Sequence, residues 1–275
     1  MNTISEEFIT EYCYEDTDIE EGDIKIESFD PRTFVSVVLG ELISLMFSFL
    51  QILGIMGVRF LDKERTDKMR EILKDDKVRV FWIKASQPNA FNIGTRSLYY
   101  TTYLRKMLTD KELESVLCHE YGHFVGKHME KAVATDVSVG LLSGFIFSFI
   151  DLPAMIKTKL VIILTMITKA FASIGYNITF GRRHEYFSDS YAAKMGYKEE
   201  LISSLHKIDK WVREKICKDL TKEECDDLLK NMNKWDEHPE LKDRIDNILK
   251  SIVKDFLVKR LRIAKTKLKS LVSND

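Results

Sequence analysis

Two histidines four residues apart, with a glutamate directly after the first, form a unit that can hold a metal ion and activate water. His119, Glu120, Tyr121, Gly122 and His123 read H-E-x-x-H. On a helix, positions i and i+4 share one face, so both imidazoles reach a single ion. Glu120 follows His119 at about 100° around the helix, close enough to serve as a general base toward water. Such a set suits zinc hydrolysis, with the histidines as ligands and the glutamate as base.

That chemistry needs a helix under it, and the flanking residues supply one. Thr109-Asp110-Lys111-Glu112 matches the capping box S/T-x-x-E. Leu113, Val116 and Leu117 then recur at helical spacing. No proline interrupts Thr109 to Met129, so a single helix is expected across that stretch. Gly122 lowers helix propensity and leaves room for a close neighbour beside the ion.

A catalytic zinc takes a third protein ligand and keeps a fourth position open. Two residues compete for the third place. His128 follows Gly126, but the pattern H-E-x-x-H-x-x-G-x-x-H needs its last histidine at 129, where Met129 stands. His128 is better read as a solvent-facing histidine that favours the helix C-terminal dipole. Glu185 stands four residues before Asp189, again on one helix face. Glu185 can ligate while Asp189 accepts the free N–H of a ligand histidine and fixes its tautomer. Taken alone, the pair also fits a solvated acidic face.

Four motifs in sequence order resemble the HtpX-like and CAAX-prenyl-protease family of integral-membrane zinc metallopeptidases, which belong to the gluzincins. Pro88-Asn89-Ala90-Phe91 is similar to its edge-strand segment, and Leu108 to His128 to its H-E-x-x-H helix. Glu185, Asp189 and Ala192 match its E-x-x-x-D-x-x-A helix, and His238-Pro239 with Arg244-Ile245 its late H-P…R-I motif. The resemblance covers roughly residues 60–250. It implies that one Zn2+ per chain is bound by His119, His123 and Glu185. It makes Glu120 the general base, and Asp189 the residue that orients a ligand. It implies that His238 donates to the oxyanion and that Arg244 supports it or binds substrate. Asn89 and Ala90 would offer edge-strand backbone groups to an extended peptide.

Composition and charge set the surroundings. The chain has 275 residues, 45% hydrophobic and 31% charged, with a net charge of −1. That small net charge hides segregation. Residues 1–30 hold eleven acidic groups against Lys25, and residues 250–269 hold eight basic groups against Asp255. Residues 1–33 read as an acidic flexible arm, able to hold an enzyme latent, and 250–275 as a basic amphipathic helix that lies on anionic lipid or, the favoured reading, packs on the domain. One basic helix is too little for nucleic-acid binding. Phe34 to Val58 is an apolar run with Glu41 as its one charge, long enough to span a bilayer. Arg59, Lys63, Arg65, Lys68 and Arg70 follow it, which places the metallopeptidase domain, residues 59–249, on the cytoplasmic side. A hydrophobic helical hairpin is expected within 137–180, despite Lys169 and Asn177. The cysteines at 13, 118, 217 and 225 are scattered, with neither CxxC spacing nor a dense disulfide framework, which suggests a reduced, intracellular setting. The acidic N-terminus is unlike a cleavable signal peptide.

Strands are expected at Val78–Ile83, Asn89–Asn92 and Ser97–Thr102, and helices at Lys63–Leu73, Lys198–Ile216, Lys222–Trp235 and Glu240–Val272. The expected fold is mainly α with a small β-sheet (α+β), of gluzincin type, with membrane helices. The expected function is that of a membrane-anchored zinc metalloendopeptidase acting on membrane or misfolded proteins. A catalytically silent membrane-bound scaffold that keeps the fold is the alternative. A purely structural zinc site is disfavoured, because those sites are rich in cysteine.

Overall fold

A computed structural model of the chain describes residues 29–150, 153–218, 220–233 and 239–250. The acidic arm up to residue 28, the basic segment beyond 250 and His238 lie outside these described residues. The order is α1 (Pro31–Gly57), β1 (Arg59–Leu61), α2 (Lys63–Leu73), β2 (Arg79–Ile83), β3 (Ala90–Asn92) and β4 (Ser97–Thr101). Then come α3 (Thr102–Met107), α4 (Asp110–Val125), α5 (His128–Phe147), α6 (Ala154–Tyr176), α7 (Arg182–Lys194), α8 (Lys198–Ile216) and α9 (Lys222–Asn233). Residues 241–250 are also helical. The expected mainly helical fold with one small sheet is what forms.

The sheet runs β1-β2-β4-β3. β2 and β4 are parallel, while β1 and β3 join antiparallel at the two edges. Alternation along the strands sends Val80, Leu98 and Tyr100 into the core with Leu113 and Leu117 of α4. Phe81, Tyr99 and Phe91 stack in a row through the alternate positions, as the period of two requires. β3 pairs only with β4 among the described strands, so its other edge stays open beside α4.

α4 begins as its sequence signals. The Thr109 side chain accepts from Glu112 N, and Glu112 Oε2 accepts from Thr109 N at 2.7 Å. Glu112 is buried and also accepts from Ser203 Oγ at 2.6 Å and Lys207 Nζ at 2.7 Å. The capping glutamate thereby fastens α8 to the start of α4. Burial opposes the Glu112 charge, but the donors from Lys207, Ser203 and Thr109 prevail and hold its pKa at about 2.

The end of α4 departs from expectation. The helix stops at Val125, Gly126 caps it, and Lys127 adopts a left-handed conformation with φ 53°. A residue with a Cβ seldom takes that conformation. The chain therefore turns between α4 and α5, where a continuous helix to Met129 was expected. The hydrophobic hairpin also begins earlier than residue 137. α5 starts at His128, and α6 runs through a π-helical turn at Asn177–Gly181 directly into α7.

α1, α5 and α6 pack on one another. A Cβ on Gly140 would collide with the Glu41 carboxylate, and one on Gly144 with Val37, so these two glycines let α1 lie close on α5. The charges inside the apolar segments satisfy each other. Lys169 Nζ lies 2.7 Å from Glu41 Oε2 and 2.9 Å from Asp136 Oδ2. Away from these contacts the helices present Leu142, Met166 and Phe171, the last 72% exposed. Two stretches, Pro31–Leu50 and Ile156–Lys194, are long and apolar enough to cross a bilayer.

One further expectation is corrected. Cys217 and Cys225 form a disulfide across the α8–α9 turn. The eight-residue separation matches no metal motif, and only the helical turn brings the two side chains together.

Candidate metal centre

The candidate metal centre lies where the helices α4 and α7 meet. α4 carries His119 and His123 one turn apart, and α7 crosses it carrying Glu185 and Asp189. Gly122 makes the crossing possible: a Cβ there would lie 2.8 Å from Ser188 Cα. The absent side chain lets α7 approach until its acidic residues reach the histidines. The room anticipated at Gly122 is thus filled by the backbone of α7.

Ring nitrogens and a carboxylate converge. His119 Nε2 lies 3.0 Å from His123 Nε2. Glu185 Oε2 is 3.5 Å from His119 Nε2, and Oε1 is 3.2 Å from His123 Nε2. All three donors fall within 4.8 Å of one another. Glu185 is 3% exposed, and a carboxylate so buried needs a cation nearby. Two imidazoles and one carboxylate, brought this close by two helices, fit zinc with a position left open.

A second layer holds this set. His119 Nδ1 lies 2.9 Å from Asp189 Oδ1, within ion-pair reach. Arg244 then grips Asp189 with two bonds, Nε to Oδ2 at 2.9 Å and Nη2 to Oδ1 at 2.6 Å. The same Nη2 lies 3.3 Å from Glu185 Oε2. Arg244 was expected to support the oxyanion or bind substrate. In the structure it clamps the acidic pair of α7. His128 departs from expectation, because it is buried and not solvent-facing. Its Nδ1 lies 2.9 Å from His123 Nδ1, and its ring stacks on His184 at 3.8 Å. Its place follows from the left-handed turn at Lys127, which no sequence pattern announced.

A cleft of about 1260 Å³ opens over the centre. Glu120, Asn89, Ala90 and Arg244 line it along with His119, His123 and Glu185. Asn89 and Ala90 lie at the open-edged strand, whose pairing on its inner side runs Ala90 to Tyr100. His238, outside the described residues, precedes Pro239, which also lines the cleft. Cys118 takes no part: it is fully buried, and burial pushes its thiol up to about 12. Such a thiol stays protonated and is a poor ligand or nucleophile.

Residues 68–252 match the sequence profile of Peptidase family M48. The chain is 28% identical over 144 residues to a Protease HtpX homolog from Sulfurovum sp. strain NBC37-1, covering 49% of this chain and 51% of that one. It is 24% identical over 217 residues to Protease HtpX from Psychrobacter sp. strain PRwf-1, covering 67% and 69%. The first match spans about half the length of that relative. Among solved structures, S. mikatae Ste24p has a similar fold, with a TM-score of 0.57 and 18% identity over 77% of this chain and 56% of that one.

Proposed function

The chain belongs to peptidase family M48, and on that premise we propose that it is a membrane-anchored zinc metalloendopeptidase that cleaves internal peptide bonds of protein substrates. The observation that carries this reading is the convergence of His119, His123 and Glu185 within 4.8 Å beside Glu120 in one cleft. These three residues would hold zinc, which supplies Lewis acidity to the reacting water and carbonyl.

The chain's own groups do the rest. Glu120 takes a proton from water as the water oxygen attacks the scissile carbonyl carbon. It then delivers that proton to the leaving amine nitrogen as the C–N bond breaks. Asp189 keeps the proton of His119 on Nδ1, and Arg244 keeps Asp189 ionised and in place. The free edge of β3 at Asn89 and Ala90 takes the substrate in extended form by backbone pairing. His238 donates to the developing oxyanion, a contribution of a few kcal/mol in the transition state (about 2.7–4 kcal/mol for a comparable donor). The apolar outer faces of α1, α5 and α6 set the protein in lipid, which favours membrane or unfolded proteins as substrates.

Casein hydrolysis by the zinc-loaded chain, beside Glu120→Gln, tests the reading. The expected outcome is cleavage by the wild type and a loss of at least 10²-fold in the variant, with zinc content unchanged. Equal cleavage by both overturns it.

A further inference from the structure

We propose that His128 is a positioning residue for the metal ligand His123, and that Gly126 and Lys127 exist in this turn to place it. The inference rests on the zinc reading above. His123 turns Nε2 toward Glu185 Oε1, 3.2 Å away, and toward His119 Nε2, 3.0 Å away. With Nε2 engaged at the metal point, the proton of a neutral imidazole resides on Nδ1. That Nδ1–H points at His128 Nδ1, 2.9 Å away. His128 therefore accepts through Nδ1 and carries its own proton on Nε2.

The surrounding chain is built for this contact. Lys127 takes the left-handed conformation at φ 53°, so the first residue of α5 folds back over the end of α4. The ring then occupies the space where a side chain on Gly126 would be, since a Cβ there would overlap His128 Nε2 outright. His184 stacks on the ring at 3.8 Å and 9°, and Phe187 meets it edge-on at 5.5 Å. These contacts fix the ring plane and hence the direction of the Nδ1 lone pair. The two ligand histidines are thus oriented by different chemistry, His119 by a carboxylate under an arginine clamp and His123 by a stacked neutral imidazole.

Outer partners of metal-bound histidines are worth about 10–100-fold in metal affinity. The test uses the full chain in detergent, with zinc affinity from competition against a chromophoric chelator and the visible spectrum of the cobalt-substituted protein. His128→Ala is expected to weaken zinc binding within that range and to shift the cobalt bands. His128→Asn, which keeps an acceptor near the Nδ1 position, is expected to recover most of the loss. Gly126→Ala retains the imidazole but displaces it, and is expected to resemble His128→Ala. Wild-type affinity and spectrum in His128→Ala overturn the proposal, as does His128→Asn binding as weakly as His128→Ala. If His128→Ala unfolds, Gly126→Ala and His128→Asn decide the matter by the same readouts. A wild type that takes up no zinc overturns both this proposal and the functional reading. A wild type that holds zinc yet cleaves no casein, with the variants behaving as stated, overturns the functional reading alone.

Discussion

Arg244, Asp189 and His119 form a line of charge that ends at the metal point, and each member depends on the next. Without the guanidinium, Asp189 and Glu185 keep two negative charges in a buried site. Arg244→Gln is therefore expected to destabilise the zinc-free protein by about 3–5 kcal/mol, the cost of breaking a buried pair. Zinc, as a cation at the same place, should restore part of that loss. Thermal melts with and without zinc check both statements: a variant as stable as the wild type without zinc refutes them. Asp189→Ala should weaken zinc binding about 10–100-fold, read by chelator competition. At this scale the sequence was legible where chemistry is local. H-E-x-x-H and E-x-x-x-D are helical i, i+4 patterns, and both face the site. The Arg244 clamp spans 55 residues, and the His128 contact depends on one backbone conformation. Neither leaves a periodic trace in the chain.

Helix α4 owes its position to its two ends and one missing side chain. Gly122→Ala inserts a methyl 2.8 Å from the Ser188 backbone, so α7 must retreat by several tenths of an ångström. Because Glu185 rides on α7, the expected outcome is weaker zinc binding with near-normal helix content, measured by chelator competition beside circular dichroism. Unchanged affinity would show that α7 need not lie so close. The other end carries a pH dependence. Glu112 is held at about 2 against an ordinary 4.5, so its folded-state pKa is depressed. Its contribution, on the order of 3 kcal/mol, is present above pH 4.5 and is lost as pH falls toward 2. A series of melts from pH 6 to pH 2 should show the gap between wild type and Glu112→Gln closing over that window. A constant gap would refute it. The capping box was readable because its partners are three residues apart. Its second task, receiving Lys207 and Ser203 from α8, was not, because nothing in the sequence pairs those helices.

For the whole molecule, the apolar helices and the disulfide bear on where it resides. Membrane pellets washed with alkaline carbonate should retain the protein. Release into the wash would mean the hairpin only packs on the peptidase domain. Basic residues after α1 argue for a cytoplasmic domain, whereas a Cys217–Cys225 disulfide argues for an oxidising compartment. Trapping thiols in intact cells with a membrane-impermeant reagent, before and after reduction, distinguishes these. The hydrophobic segments were legible from composition, but their mutual packing was not. It turns on Gly140 and Gly144 lying under α1, and on Lys169 meeting Glu41 and Asp136.

Two of the candidate metal ligands lie on α4 and the third on α7, and the whole α5–α6 hairpin lies between them in the chain. A chain emerging from the ribosome makes His119 and His123 well before Glu185, and Glu185 reaches them only after the hairpin has folded back. On the reading proposed above, the nascent chain therefore lacks a complete ligand set until α7 has been made and packed on α4.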